Sequence, residues 1–296
     1  MDERGKMRDY TQEILELIRL TSTDLPSQVE ERLNKAMENE NAGSAARAAL
    51  ETILKNIKMT RKNSTPICQD TGTPIFFVHS TDSIDTAALT RQIREAIALA
   101  TQKSYLRPNA VDSITGKNTG NNLGDEYFPS IHFQQSAEGD FSIDLILKGG
   151  GCENVGAQYA LPNDELQAGR DLEGVRKAAL DAVFRAQGEG CAPGFLGIGI
   201  GGDRGTSYAA SKQVMLREPD DHNADAELDQ LEDRILTEAN ELGIGPMGFG
   251  GKTTLLGAKV TSTYRLPASF FVSVSYMCWA YRHHKMVIKN DEITYL

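Results

Sequence analysis

Cysteine, aromatic side chains and basic charge are all scarce in this sequence. Its 296 residues contain four cysteines and one tryptophan, and aromatic residues make up only 7%. Four cysteines in a chain of this length do not build a disulfide scaffold, so in a reducing compartment each is free, catalytic or metal-bound. Basic residues are outnumbered, 31 Lys and Arg against 41 Asp and Glu, for a net charge of −10. That balance argues against a nucleic-acid protein, because neutralising phosphates needs a basic face. Long hydrophobic runs are missing too. The longest weakly polar stretch, Ala268 to Tyr281, is closed by Arg265 and Arg282 and is too short to cross a bilayer. The opening MDERGKMRDY carries mixed charge and no apolar run, so no signal peptide is read, no membrane association is expected, and the expected location is cytoplasmic. What is present, 40% hydrophobic and 24% charged residues, is ordinary for a soluble globule with a real core.

Residues 1 to about 62 read as helices and as scaffold. Val29, Leu33, Ala36 and Met37 recur on one face behind Ser27-x-x-Glu30, and Leu50, Ile53, Leu54 and Ile57 form a second stripe. From Asn63 the texture changes. Ile75 to Val78, Ser130 to Gln134, Phe141 to Leu147, Phe195 to Ile200, Leu255 to Thr261 and Phe270 to Tyr276 read as strands. Helices are expected over Asp85 to Lys103, Glu165 to Gln187, Ser207 to Arg217 and Ala224 to Leu242. Arg107 to Gly124, rich in Asn, Gly and Thr, has no apolar period and is read as a long loop of the kind that carries function. Strands in separated groups among irregularly placed helices predict an α+β fold with mostly antiparallel or mixed sheets. The expected organisation is one continuous functional domain, with 1–62 as its helical part and 63–296 carrying the chemistry.

Two glycine patterns point toward nucleotides. Gly197-x-Gly199-x-x-Gly202 satisfies the dinucleotide fingerprint and would make the chain a nucleotide-binding oxidoreductase. The acidic position expected about twenty residues on falls in the turn-like Glu218-Pro219-Asp220-Asp221, so glycines that allow close backbone approach are the simpler explanation. Gly248 to Thr254 ends like a P-loop, but Pro246 stands where its first glycine belongs and the preceding element reads as a helix. Its amides and Lys252 retain the capacity to hold a carboxylate or phosphate.

No two cysteines have the close spacing of a zinc ribbon or a thioredoxin site. At least three of Cys68, Cys152, Cys191 and Cys278 sit where an element meets a Gly or Pro turn, where a thiolate can face a cavity. Three thiolates can hold a [4Fe-4S] cluster whose full set is four, leaving one iron open as a Lewis acid on a hydroxyl or carboxylate. His79, His132 and the pair His283-His284 are read as structural, since thiolates are the better iron-sulfur ligands and adjacent histidines diverge on a strand.

Cys68-Gln-Asp-Thr-Gly72, Lys117-Asn-Thr-Gly120, Lys148-Gly-Gly-Gly-Cys-Glu-Asn154, Cys191 with Gly199-Ile-Gly-Gly202, Gly243-Ile-Gly-Pro-Met-Gly248 and Cys278-Trp-Ala280 resemble, in order and spacing, the iron-sulfur hydro-lyases. That family comprises the class I fumarases and the L-tartrate dehydratases. The resemblance covers nearly the whole chain to residue 290 and fits the family's catalytic N-terminal domain, or α subunit, with the smaller C-terminal domain absent. It implies a cluster site among Gly-rich loops with Cys68, Cys191 and Cys278 as ligands and Cys152 as a nearby non-ligand. It further implies that Gln69 and Asp70 face the substrate, Asp70 as proton-transfer or orienting group, and that Arg107 and the turn Gly149, Gly150 and Gly151 hold the carboxylates of a small dicarboxylate. A β subunit carrying the missing domain, in an α2β2-type assembly, is the implied partner. It is expected to donate cations, because the chain offers few near these motifs. Arg265-Leu-Pro267 departs from the Arg-His-Pro common in relatives. The ending Gly-Lys-Thr-Thr254 is more like the fumarase branch, so reversible hydration of fumarate to (S)-malate is expected, with tartrate or mesaconate as alternatives.

Overall fold

The computed structural model describes residues 8–80, 84–135, 139–290 and 292–296. Residues 1–7 of the expected N-terminal helical part lie outside the described residues. The chain runs α1 (Thr11–Thr23), α2 (Ser27–Asn39), α3 (Ala45–Asn63), β1 (Thr73–Ser80), α4 (Thr86–Gln102), β2 (Ser130–Gln135), β3 (Phe141–Lys148), α5 (Gly150–Asn154) and β4 (Ala157–Ala160). It continues with α6 (Leu172–Ala186), β5 (Gly194–Ile200), α7 (Arg204–Gln213), α8 (Ala226–Glu241), β6 (Leu255–Ser262), β7 (Phe271–Met277), β8 (His283–Lys289) and β9 (Glu292–Tyr295). The fold is α+β, as the sequence implied. No helix among the described residues is long and apolar enough to cross a membrane.

Packing divides the chain into two compact units, one of residues 1–26, 56–149 and 282–296, the other of residues 27–55 and 150–281. The first is built on a five-stranded sheet in the order β2-β1-β3-β8-β9, in which only β1 and β2 run parallel. Alternation sends Phe76, Val78, Ile143, Leu145, Leu147 and Met286 to one face, where they pack with Ile14, Leu17 and Ile18 of α1 and Leu89, Ile93 and Ile97 of α4. The opposite face mixes buried apolar Ile75, Phe77 and Ile146 with the buried Asp144, which accepts from His283 Nε2 at 2.9 Å.

The second unit has a four-stranded sheet in the order β4-β7-β5-β6, with β5 and β6 the parallel pair. Its core joins Leu196, Ile198, Val260, Val272 and Val274 to Val175 and Ala179 of α6 and Leu231 and Ile235 of α8. The outer edge of β6 is closed by side chains. Asn240 Oδ1 accepts from the Leu255 amide at 2.9 Å, Glu232 Oε1 from the Val260 amide at 2.7 Å, and Asn223 Nδ2 donates to the Val260 carbonyl at 2.9 Å. An edge satisfied in this way offers no template for another strand.

Strands β4, β8 and β9 were not expected, and two expected elements take a different form. α6 starts at Leu172 rather than Glu165, because Asn163 and Ala168 close a tight loop and Asp171 caps the helix, accepting from the Gly174 amide at 2.7 Å. The glycine turn after β3 is not a turn throughout, since Gly150 and Gly151 open the short helix α5.

Candidate active site

In the first unit the site is built on the loop between α3 and β1. Buried Ile67 pins it: its amide donates to the Ser22 carbonyl and its carbonyl accepts from Asn56 Nδ2, both at 2.9 Å. Cys68 and Asp70, which follow, are half-buried, and Gln69 is exposed. Asp70 Oδ1 accepts from the Gly72 amide at 2.9 Å, the local bond by which an aspartate shapes its own turn. Thr71 is buried, and its hydroxyl accepts from the Arg107 amide at 3.2 Å and from Asn109 Nδ2 at 3.3 Å. Exposed Arg107 donates from Nη1 to the Gln69 carbonyl at 3.2 Å. The structure thus joins the two segments that carry Gln69, Asp70 and Arg107.

The organiser of the long loop is a residue the sequence reading did not single out. Asn122 is buried in a left-handed conformation at φ 58°. Its Oδ1 accepts from the Asn109 and Ala110 amides at 2.7 and 3.1 Å, and its Nδ2 donates to the Thr101 hydroxyl and the Arg107 carbonyl. The signal was an asparagine inside a segment with no apolar anchor, where a side-chain amide must replace the missing core.

Gly149, at the end of β3, meets the same loop. A β-carbon there would lie 2.9 Å from Asp70 Oδ2 and 3.3 Å from Arg282 Nη2, so only a bare backbone fits between the two charged groups. Arg282 is 2% exposed, donates from Nη1 to the Asp70 carbonyl, and accepts at its own carbonyl from the Leu147 amide at 3.0 Å. Lys148 is fully buried at the neighbouring position. The expectation of few cations near the motifs is therefore corrected. In sequence Arg282 stands out only as the charge closing an apolar stretch. Of the three glycines, Gly149 is the one packed on Asp70, while Gly150 and Gly151 are exposed.

In the second unit Cys191 follows α6 at φ 56°, its amide donating to the Gly188 carbonyl at 3.0 Å. Its carbonyl accepts from the Trp279 amide at 3.3 Å, which brings it beside Cys278 at the end of β7. Cys278 and Cys152 are buried. Between these segments stands Tyr276, 2% exposed, with its ring against Gly190 and Gly194. Its hydroxyl is pushed far above the usual range, first by burial and then by the negative charges of Cys278, Cys152 and Cys191. Cys68 belongs to the first unit.

Among the described residues the cysteines form no disulfide, and no three His, Cys, Asp or Glu side chains are grouped to hold a single metal ion. The soft sulfur that Cys68, Cys191 and Cys278 offer is donor chemistry that fits an iron-sulfur group.

The nucleotide patterns find other uses. Gly197 and Gly199 lie on β5 where α7 crosses it, and β-carbons there would lie 2.0 Å from the Ser211 carbonyl and 2.3 Å from that of Ser207. Close helix-on-sheet packing explains them, and β5 is flanked by antiparallel β7 as well as parallel β6, unlike a dinucleotide fold. The loop before β6 already holds a carboxylate. Glu40, 4% exposed, accepts from the Lys252 and Thr253 amides at 2.7 and 3.0 Å, while Lys252 Nζ donates to the Asn39 carbonyl at 2.8 Å.

The class these features define is an α+β chain presenting soft thiol donors and, at a strand end, a carboxylate beside a buried cation. The chain matches the family described as fumarate hydratase (Fumerase) over residues 11–287, and it belongs to that family. It is 51% identical over 280 residues to a protein of Geobacillus stearothermophilus provisionally named class I fumarate hydratase, covering 93% of this chain and 54% of that one. It is 32% identical to a protein of Methanocaldococcus jannaschii provisionally named L(+)-tartrate dehydratase subunit alpha, over 94% of this chain and 97% of that one. It is 29% identical to the L(+)-tartrate dehydratase subunit alpha of Escherichia coli O157:H7, over 98% of this chain and 95% of that one. The chain therefore spans about half the length of the class I relative and nearly all of the tartrate dehydratase subunits.

Proposed function

We propose that this chain is the α subunit of an iron-sulfur hydro-lyase that reversibly hydrates fumarate to (S)-malate, working in the cytoplasm with a β subunit in an α2β2-type assembly. The observation that carries the choice of substrate is the 51% identity to the class I fumarate hydratase, against 32% and 29% to the tartrate dehydratase subunits. L(+)-tartrate or mesaconate on the same scaffold is the second reading, favoured by the subunit-length match to the tartrate enzymes. The partner is supported by the names of the tartrate dehydratase relatives, which are subunits alpha.

In this reading residues 1–62 and 63–296 act as one functional domain, and Cys68, Cys191 and Cys278 hold a [4Fe-4S] cluster, with Cys152 outside the ligand set. When bound, such a cluster supplies an open iron that polarises the substrate hydroxyl or carboxylate. Asp70 moves or orients a proton through Oδ2, the oxygen turned toward Gly149, while Oδ1 keeps the carboxylate aimed through its bond to the Gly72 amide. Gln69 presents its amide beside Asp70. Arg107, held by Thr71 and Asn122, offers the planar fork that suits a carboxylate. The turn Gly149, Gly150 and Gly151 is the place we assign to the other carboxylate, a segment whose backbone carries no side chain of its own. Preorganised donors of this kind act on a dianion without reorganising during the reaction.

The test is anaerobic loading with iron and sulfide, with and without the partner, followed by assay of fumarate, L-tartrate and mesaconate in parallel. Activity on fumarate that depends on the partner is the expected result. High activity of the isolated α chain, or preference for tartrate, contradicts the reading.

A further inference from the structure

The loop of residues 107–124 is held in place with little help from apolar packing. Val111 is 55% exposed and Ile114 94%, and among the described residues of this segment only Ala110 and Asn122 are buried. Asn122 uses the full capacity of a side-chain amide, two donors and two acceptor sites. Its Oδ1 accepts from the Asn109 and Ala110 amides at 2.7 and 3.1 Å, which shapes the loop. Its Nδ2 donates to the Thr101 hydroxyl at 3.0 Å, in the last turn of α4, and to the Arg107 carbonyl. The Arg107 main chain is therefore fixed on both sides, because its amide donates to the buried Thr71 hydroxyl at 3.2 Å. From that fixed root the guanidinium extends until Nη1 meets the Gln69 carbonyl at 3.2 Å. A planar fork that takes a carboxylate by two parallel bonds tolerates little displacement, so whatever aims its root bears on affinity.

We propose that Asn122 is a positioning residue for dicarboxylate recognition: by holding the Arg107 carbonyl against the end of α4 it sets where the Arg107 fork can reach. This rests on the assignment of Arg107 to a substrate carboxylate, and goes beyond it by naming the buried side chain on which that assignment depends. Asn122 acts through Arg107, so its removal costs binding of the dianion and leaves the chemical step alone.

The test uses the full chain loaded anaerobically with iron and sulfide and paired with its partner, as wild type, Asn122→Asp, Arg107→Ala, the double variant and Thr101→Val. Asn122→Asp suits the left-handed φ of 58° and keeps the acceptor for the two amides. It replaces the donor to Arg107 with an oxygen that repels the carbonyl. The readouts are the Tm, the Kd for succinate as a dianion that cannot be hydrated, and kcat and KM for fumarate. Asn122→Asp should weaken succinate binding and raise KM by about 10-fold each, with kcat within about 2-fold of wild type. In the Arg107→Ala background the same substitution should weaken succinate binding by less than about 2-fold, because the group it aims is gone. A merely structural asparagine gives equal losses of succinate binding in both backgrounds, or a fall in Tm with Kd and KM unchanged, and either overturns the proposal. Should Asn122→Asp fail to fold, or Arg107→Ala bind too weakly to titrate, Thr101→Val decides. It removes the hydroxyl that fixes the amide, so KM should rise about 3-fold at constant kcat, and an unchanged KM overturns the proposal. Absence of succinate binding by wild type also overturns it. Coupled losses of succinate binding in an enzyme that does not hydrate fumarate would support the role of Asn122 and remove the hydratase reading.

Discussion

Asp70 shows how a short sequence motif becomes a committed side chain. One carboxylate oxygen is spent on the turn, and the other is turned toward a glycine that leaves room for nothing larger than a proton on its α-carbon. Asp70→Asn keeps the turn-forming oxygen and removes the acid/base group, so kcat should fall by about 100-fold or more with the melting temperature nearly unchanged, as parallel kinetics and calorimetry will show. His284 carries a different message. Burial, reinforced by the neighbouring His283, holds its pKa at about 4, against an ordinary 6.5. The unfolded chain therefore takes up a proton that the folded chain refuses as pH falls from 6.5 toward 4. Stability should drop across that window by up to ~3 kcal/mol, and His284→Leu should flatten the drop in a denaturant series run at each pH. Stability that is independent of pH in wild type would contradict this assignment.

At the scale of elements, most of the architecture was legible because strands and helices here keep their own periods. The strand expected at Phe141 to Leu147 runs Phe141–Lys148, and the helix expected at Asp85 to Lys103 runs Thr86–Gln102. β4, β8 and β9 escaped notice: β4 and β9 are only four residues long and partly exposed, and β8 opens with His283, His284 and Lys285, which mask its alternation. The glycines of β5 were legible as close-approach positions but not by what approaches them, since α7 crossing that strand is a tertiary fact. Gly197→Ala places a methyl 2.0 Å from the Ser211 carbonyl, so α7 must lift from the sheet. The expected cost is at least ~3 kcal/mol, read as a lowered unfolding midpoint, while no nucleotide should rescue it. Stabilisation of either protein by NAD or a flavin would reopen the oxidoreductase reading.

For the molecule as a whole, the sequence made the site's polar members visible and hid its supports. Cys68, Asp70, Arg107 and Gly149 stand in motifs, whereas Asn122 and Arg282 sit in segments that carry no pattern and gain their roles only from burial and from partners far along the chain. Lys252 was the opposite case, conspicuous in sequence and occupied in the fold with closing α2 through Asn39. Family membership is fixed by a match over residues 11–287, and the chemistry proposed here depends on which sulfurs take the cluster. The most direct measurement is therefore anaerobic quantification of iron and sulfide in wild type beside Cys68→Ser, Cys152→Ser, Cys191→Ser and Cys278→Ser. The account predicts about four irons and four sulfides per chain in wild type and in Cys152→Ser, with strong loss in the other three. Full cluster content in any of those three, or loss confined to Cys152→Ser, would contradict it.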